Sequence, residues 1–203
     1  MAWNISHRED ALKSANQCLP GFFLFNRFVS EHKANALYQQ LLSLTWQQPT
    51  LTIFNKQHRI PRMQYYMGDA KTGYRYSNQL FSPEPWHPSV DNLRNSLNQF
   101  FGTSFNAALL NFYRTGEDKM GWHADDEPEL GHEPVIASIS LGANRKFKIR
   151  ENGSRKVTDV NLEHGSCLLM TGHSQRNYQH SLPVQKRVIT GRINLTFRHI
   201  SGI

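Results

Sequence analysis

The C-terminal half of the chain is a series of short apolar stretches separated by turn residues. From Phe105 onward these stretches read FNAALLNFY, VIASISLG, RKFKIRE, KVTDVNL, SCLLMTG and RVITGRINLTFRH. Their length and their aliphatic, β-branched and aromatic residues predict strands, and the Gly, Asn, Pro and charged residues between them predict turns. Because no helical pattern lies between the strands, they predict an antiparallel sandwich or barrel.

The N-terminal half has a different pattern. Apolar residues at helical spacing predict one helix over residues 31–45 and a second that begins after Pro88 and ends at Gly102. The stretches LTIF and RIPRMQYYMG, residues 51–54 and 59–68, predict edge strands. We therefore expect a single domain, residues 1–203, in which helices flank a mainly β core.

Charge and composition narrow the class of protein. The chain has 203 residues, a formal net charge of +7 and a pI near 9.6. A basic surface favours polyanions such as nucleic acids, although many basic proteins bind none. No apolar run reaches the length of a membrane span, the N-terminus lacks a signal-peptide layout, and Cys18 and Cys167 form no paired motif. We therefore expect a cytoplasmic or nucleoid-associated protein with reduced thiols.

The stretch RINLTFR near the C-terminus has two unlike faces. Successive side chains of a strand point to opposite sides, so its residues fall into an apolar set and a polar set. The apolar set is Ile193, Leu195 and Phe197, and the polar set is Arg192, Asn194, Thr196 and Arg198. Taken alone, the strand fits two arrangements: a polar face in water, or a polar face buried around an anionic ligand.

The stretch GWHADDE suggests a metal site. His123 and Asp125 are two positions apart, so on a strand end both side chains project to the same side. His180 in QHSLP, on a later strand, could supply a third ligand. Two His and one carboxylate on one face of a metal suit Fe(II) in oxygenases, because the other positions stay open. The spacing alone fits zinc hydrolysis or a non-catalytic metal-binding barrel equally well.

The polar face of RINLTFR supports the oxygenase alternative. An Fe(II) oxygenase that uses 2-oxoglutarate holds a dianion beside the metal, and the distal carboxylate needs a charged partner. Arg192 and Arg198 can supply planar two-pronged donors, and Asn194 on the same face supplies an amide. We therefore expect the polar face to point into the barrel and the apolar face to pack outward against helices.

Three blocks together, NFYRTGEDKMGWHADDE, QHSLP and RINLTFR, resemble the AlkB family of Fe(II)/2-oxoglutarate nucleic-acid dealkylases. The likeness runs from about Pro20 to His199, with the blocks in the same order. It implies a double-stranded β-helix, or jelly-roll, core over about residues 105–200 with flanking N-terminal helices. It also implies a nucleotide-recognition lid over about residues 50–82.

The resemblance implies a role for particular residues. The implied iron ligands are His123, Asp125 and His180, and the implied cosubstrate contacts are Asn111, Tyr113, Arg192, Asn194 and Arg198. The implied substrate contacts are Phe54 as an apolar wedge, Arg62 as a basic lid residue, Tyr74 and Tyr76 as stacking aromatics, and Asp126 and Glu127 as readers of a cationic base.

The strand RKFKIRE could add phosphate contacts through Arg145, Lys146 and Lys148, but a solvated strand edge explains these residues equally well. The region after Phe54 reads NKQH, without the second bulky aromatic of a duplex wedge, so single and double strands both stay open.

The function implied is oxidative demethylation of N-alkylated DNA bases of the 1-methyladenine and 3-methylcytosine type. The cofactors would be Fe(II), O₂ and the cosubstrate 2-oxoglutarate, and the products would be succinate, CO₂ and formaldehyde. The expected partner is DNA, or RNA, with a monomeric protein and no membrane.

Several alternatives stay open. One is an RNA or tRNA demethylase or a protein hydroxylase with the same iron core. Others are a non-enzymatic module that binds modified nucleic acid, and a zinc hydrolase. Tyr74, Tyr76 and the positive charge favour nucleic acid over protein. The intact set of His123, Asp125, His180 and Arg192 argues against the binding module. A zinc hydrolase would not explain the Arg192–Asn194 face, because it has no anionic cosubstrate for that face to bind.

Overall fold

A computed structural model describes residues 12–53, 56–70, 72–76 and 79–201. For residues 51–53, 74–76 and 79–81 it describes the main chain only. The helices are α1 (Glu31–Leu42), α2 (Pro88–Phe101) and the short α3 (Ser174–Asn177), with a 3-10 turn at Pro128–Leu130. The strands are β1 (Asn16–Leu19), β2 (Phe22–Phe25), β3 (Thr50–Ile53), β4 (Lys56–Arg59), β5 (Met63–Gly68), β6 (Tyr74–Tyr76), β7 (Gln79–Phe81), β8 (Ala107–Tyr113), β9 (Met120–His123), β10 (Ile136–Gly142), β11 (Arg145–Glu151), β12 (Val157–Leu162), β13 (Cys167–Met170), β14 (Tyr178–Leu182) and β15 (Arg192–Arg198). None of the helices in these ranges is both long and apolar enough to cross a membrane.

Two antiparallel sheets build the core. The larger has seven strands in the order β1-β2-β13-β10-β15-β8-β5, and the smaller has four in the order β12-β11-β14-β9. Two separate hairpins, β3-β4 and β6-β7, come from the region expected to form the lid. Non-consecutive strands lie side by side in both sheets, as a jelly roll requires. The mainly β, jelly-roll fold class is therefore confirmed, while the domain and lid boundaries stay a prediction.

The two long helices cover the outer face of the seven-stranded sheet. Leu41 of α1 and Leu97 of α2 share one buried cluster with Ile193, Leu195 and Phe197 of β15. The apolar face of RINLTFR therefore packs outward against helices, as expected from the alternation. Burying such side chains contributes about 1.5–3 kcal/mol each.

The ends of the helices have local causes. Pro88 begins α2, where its missing N–H costs nothing, and the His87 side chain accepts a hydrogen bond from the Ser89 N–H. Gly102 ends this helix with φ 63°, a conformation that favours glycine. Helix α1 ends at Leu42, earlier than the expected residue 45.

The expected edge strand over residues 59–68 is divided in the structure. Its first part belongs to β4, and its second part, β5, forms the edge of the seven-stranded sheet beside β8. Pro61 lies in the interruption, and a proline has no N–H for a sheet hydrogen bond. The break lets the chain leave the β3-β4 hairpin and enter the main sheet.

Both alternatives that the sequence left open for Arg145, a phosphate contact and a solvated strand edge, are wrong. Arg145 is 1% exposed, and its guanidinium donates hydrogen bonds to the backbone carbonyls of Thr115, Asp118 and Pro183. It fixes two loops at one end of the sandwich and cannot reach a phosphate. Its sequence neighbour Lys146 is exposed, because successive side chains of β11 point to opposite faces.

Candidate iron and cosubstrate site

A cleft lies between the two sheets, and both sheets contribute to its walls. It encloses about 580 Å³, counting the space that opens to solvent. The seven-stranded sheet contributes polar side chains of β5, β8 and β15, and the four-stranded sheet contributes β9 and β14. The lining includes Arg62, Gln64, Asn111, Tyr113, His123, Asp125, His180, Arg192, Asn194 and Arg198. Nine of these ten belong to the residues expected at the iron, at the cosubstrate or, for Arg62, near the substrate; only Gln64 was not anticipated.

The three expected metal ligands meet at one end of this cleft. His123 on β9 and His180 on β14 are directly opposite each other in the sheet, so both rings point to the same face, and their centroids are 4.2 Å apart. Asp125 follows β9, and its Oδ1 lies 3.7 Å from His123 Nε2. One ligand atom from each residue lies within 4.8 Å of the others, which is close enough for a single metal ion.

The protonation of this group suits a metal. His123 Nδ1 lies 2.9 Å from the Gly121 carbonyl, which can only accept, so Nδ1 carries a proton and Nε2 is the nitrogen on the side of Asp125. Burial and the neighbouring His123 lower the pKa of His180 to about 3, so its ring is neutral at neutral pH. Its buried Nδ1 has no hydrogen-bond partner among the described residues. Neutral imidazoles are the form that binds metals.

Asp125 completes the donor set as a carboxylate. Burial alone raises its pKa, but Arg198 and the two imidazoles outweigh burial and lower the pKa to about 2. Arg198 Nη2 donates to Asp125 Oδ2 at 2.9 Å, and both side chains are buried. This charge-assisted bond leaves Oδ1 on the side of His123. Two imidazoles and one ionised carboxylate on one face fit Fe(II).

The opposite end of the cleft contains a buried cation. Arg192 is 2% exposed, its Nη2 donates to Ser140 Oγ at 2.8 Å, and its Nε has no hydrogen-bond partner among the described residues. Burial lowers the pKa of Arg192 to about 10, so the guanidinium stays charged at neutral pH. In the described part of the chain, Arg192 has no ion pair with a carboxylate. A buried charge without a counter-ion is costly, which makes this end of the cleft a binding site for an anion.

The register of β8 and β15 groups the expected cosubstrate contacts. Arg192 is paired with Tyr113, and Asn194 with Asn111, so the four side chains form two adjacent cross-strand pairs. The Arg192 guanidinium lies 5.5 Å from the centre of the Tyr113 ring. The Asn194 amide nitrogen already donates within the protein, to Ser138 Oγ and the Ile139 carbonyl. A direct contact of Asn194 with a cosubstrate therefore stays a prediction.

The orientation of the Asn111 amide is fixed by two donors. Arg62 Nε lies 2.9 Å and Gln64 Nε2 lies 3.1 Å from Asn111 Oδ1, which can only accept. The Asn111 amide nitrogen can therefore donate to a different acceptor, such as the carboxylate of a ligand in the cleft. Arg62 was expected at the substrate, and the structure places it in the wall beside Asn111. Its contact with substrate stays a prediction.

The structure describes some of the expected substrate residues more fully than others. Tyr74 and Tyr76 lie on β6, one strand of the β6-β7 hairpin. Phe54 lies outside the described residues. Asp126 is exposed and Glu127 is half-buried, and both follow the metal ligand Asp125 directly. Their roles in substrate binding stay predictions.

Two glutamines at the site were missed by the sequence analysis. Gln64 binds Asn111, and Gln175 Oε1 accepts a hydrogen bond from the Asp125 N–H at 2.9 Å. Both are buried, but nothing in their sequence surroundings marks them. Only the pairing of β5 with β8, which sets Gln64 opposite Asn111, and the position of α3 beside Asp125 reveal them.

Comparisons with known proteins agree with this geometry. The model of the 2OG-Fe(II) oxygenase superfamily matches residues 21–198. The mouse DNA oxidative demethylase ALKBH2 is 37% identical over 185 residues, covering 87% of this chain and 77% of the mouse protein. The human alpha-ketoglutarate-dependent dioxygenase alkB homolog 3 is 36% identical over 188 residues, covering 87% of this chain and 65% of the human protein.

A solved structure, that of OsALKBH1, matches with a TM-score of 0.60 and 21% identity, covering 89% of this chain and 99% of that one, and supports the fold. The iron donor set, the anion site and these relatives agree on an Fe(II)/2-oxoglutarate-dependent dioxygenase. The chain therefore belongs to the 2OG-Fe(II) oxygenase superfamily and, within it, to the AlkB family.

Proposed function

We propose that this protein demethylates ring nitrogens of DNA bases of the 1-methyladenine and 3-methylcytosine type. The observation that carries the proposal is the cleft in which a donor set for iron faces the buried charge of Arg192, which has no carboxylate partner among the described residues. The names of the mouse and human relatives support an oxidative demethylase and a dioxygenase. The net charge of +7 supports a polyanionic substrate.

The overall reaction balances with one cosubstrate for each methyl group. 2-Oxoglutarate and O₂ give succinate and CO₂, while one oxygen atom enters the methyl C–H bond. The resulting N-hydroxymethyl group breaks its C–N bond and leaves as formaldehyde, and the ring nitrogen recovers its ordinary form. When bound, the iron supplies the activation of O₂ that this oxidation needs.

The residues of the chain hold the reactants around that chemistry. His123, Asp125 and His180 would hold the iron, and Arg198 keeps Asp125 ionised and directed. Arg192 would bind the distal carboxylate of 2-oxoglutarate through charge-assisted hydrogen bonds. The two sheets exclude water from this end of the cleft, so these bonds form in a low-dielectric environment.

The base has to leave its stack before its methyl group can reach the iron. The β6-β7 hairpin, which carries Tyr74 and Tyr76, lies in the region expected to form the lid. We assign these tyrosines to stacking on the flipped base. Such stacking contributes about 1–3 kcal/mol for each base.

The direct test is a demethylation panel read by mass spectrometry. Oligonucleotides with one 1-methyladenine or one 3-methylcytosine are supplied as single-stranded DNA, duplex DNA and RNA. We expect loss of the methyl group with one succinate and one formaldehyde formed for each base, and no reaction when iron or 2-oxoglutarate is withheld. Reaction on RNA alone would transfer the proposal to an RNA demethylase. Inertness of all substrates, in protein that binds iron and 2-oxoglutarate, would refute it.

The stacking role is tested with Tyr76→Ala. We expect KM for the methylated oligonucleotide to rise about 5- to 150-fold, because about 1–3 kcal/mol of stacking is lost. KM for 2-oxoglutarate should not change, since we assign Tyr76 to the base and not to the cosubstrate. Tyr76→Phe keeps the ring and is expected to behave like the wild-type protein. Equal oligonucleotide kinetics for Tyr76→Ala and the wild type would contradict the role.

A further inference from the structure

Asp125 lies in a part of the chain that no sheet ladder holds. Strand β9 ends at His123, and residues 124–127 belong to neither a helix nor a strand. The Asp125 carboxylate is oriented by Arg198. The Asp125 main chain is held by one side chain: its N–H donates to Gln175 Oε1 at 2.9 Å, and this bond is buried.

Gln175 is itself fixed in place. It is 3% exposed, and its Nε2 donates to Ser174 Oγ at 3.2 Å and to Met170 Sδ at 3.4 Å. Its helix α3 follows β13 and continues directly into β14, which carries His180. The Gln175 amide thus joins the irregular segment around one metal ligand to the element that leads into another.

We propose that Gln175 is a positioning residue for the metal centre, which sets the main chain of Asp125 relative to His180. A buried amide is costly unless its groups are hydrogen-bonded, and here the carbonyl oxygen is used on a metal ligand's backbone. The carboxylate has to reach the same point as two imidazoles, so displacement of its backbone separates the three donors. Outer-shell partners of this kind typically contribute about 10- to 100-fold to metal affinity.

The inference rests on the metal centre of the proposed function, and the experiment separates the two. Mn(II), which occupies oxygen and nitrogen sites without reacting with O₂ in the assay, is titrated into the full-length protein by calorimetry. The variants are Gln175→Met, which keeps the length but removes the acceptor, and Gln175→Glu, which keeps an oxygen acceptor. The matched control is Gln179→Met. Gln179 also lies next to His180, but its amide oxygen binds Arg150 on the outer face of the sheet.

We expect Gln175→Met to bind Mn(II) about 10- to 100-fold more weakly than the wild type. Gln175→Glu should recover the affinity, and Gln179→Met should retain it. Thermal unfolding without metal supplies the second readout, because a purely structural role lowers the metal-free Tm without changing Mn(II) affinity. If Gln175→Met is too unstable to purify, Gln175→Asn keeps an amide that is too short to reach Asp125, and the same loss is expected.

Three results would overturn the inference. The first is unchanged Mn(II) affinity in Gln175→Met or Gln175→Asn, whatever their Tm. The second is equal loss in Gln175→Met and Gln175→Glu, because the acceptor would then be irrelevant. The third is absence of Mn(II) and Fe(II) binding in the wild-type protein, which would remove the metal centre itself and with it the proposed function.

Discussion

The two sheets of the sandwich contribute different chemistry to the cleft. The seven-stranded sheet is covered by helices on its outer side, and every residue of β15 is buried. It supplies the polar and cationic groups of the anion site, with Arg192 at 2% exposure. The four-stranded sheet has an open outer face, on which Lys148 pairs with Asp159, and it supplies the imidazoles. The His123 side chain is 24% exposed.

Exposure also differs within the cleft. A dianion bound at Arg192 would lie deep, where water is excluded and a charged hydrogen bond is strong. Among the metal donors, His180 and Asp125 are buried about as deeply as Arg192, and His123 is the donor nearer to solvent. We therefore expect 2-oxoglutarate to bind at the Arg192 end and the nucleic acid to approach from the side of His123.

The largest expected effect comes from the four-stranded side. Asp125→Ala removes a donor, and we expect loss of the visible charge-transfer band that Fe(II) and 2-oxoglutarate give without O₂. Iron affinity should fall by more than about 100-fold, since changes to outer-shell partners alone cost about 10- to 100-fold. Asp159→Ala, on the outer face of the same sheet, should leave the band intact. A persistent band in Asp125→Ala would remove this residue from the metal centre.

An intermediate effect is expected on the seven-stranded side. Arg192→Met should raise KM for 2-oxoglutarate about 10- to 150-fold, because a hydrogen bond to a charged group contributes about 1.5–3 kcal/mol. Metal affinity without cosubstrate should stay unchanged, which separates the two ends of the cleft. Urea denaturation of the ligand-free variant should show equal or greater stability than the wild type, because a buried charge is removed. A large loss of ligand-free stability would show that the charge is satisfied within the protein.

The smallest expected effect concerns the orientation of one amide. Asn111→Asp keeps the acceptor for Arg62 and Gln64 and turns the amide nitrogen into an oxygen that faces the cleft. That oxygen opposes a carboxylate ligand, so we expect KM for 2-oxoglutarate to rise about tenfold, the effect of one hydrogen bond of about 1.4 kcal/mol. Steady-state kinetics at saturating oligonucleotide measure it. An unchanged KM would place the cosubstrate away from β8.

The sequence predicted which residues line the cleft better than it predicted the hydrogen bonds between them. The alternation in RINLTFR separates two faces wherever the strand lies, so the packing of its apolar face followed from it. Burial of its polar face was expected only from the need for a ligand beside the metal. The spacing of His123 and Asp125 left zinc and iron open, with His180 as a possible third ligand. The polar face of RINLTFR favoured the oxygenase, and the resemblance to a family then implied these three residues as iron ligands.

The hydrogen bonds that could not be predicted depend on the register of paired strands and on contacts between segments that are far apart in the sequence. Gln64 acts on Asn111 because β5 pairs with β8 in one register, and Gln175 acts on Asp125 because α3 lies beside a loop far away in sequence. Arg145 was considered as a phosphate contact or a solvated edge residue because its strand is basic, but the same alternation that exposes Lys146 turns Arg145 inward. A shift of one residue along the strand therefore decides whether a basic side chain is buried in the protein or exposed to solvent.

The guanidinium of Arg192, which has no carboxylate partner in the described part of the chain, links the stability of the protein to the supply of its cosubstrate. A ligand that binds only the folded state stabilises it by RT ln(1 + [L]/Kd), about 2.7 kcal/mol at a concentration of 100 Kd. Where the keto acid is abundant, the occupied fold resists unfolding and proteolytic cleavage; where it is scarce, the empty fold carries its charge uncompensated and opens more often. The concentration of the cosubstrate should therefore set the half-life of the protein as well as its catalytic rate.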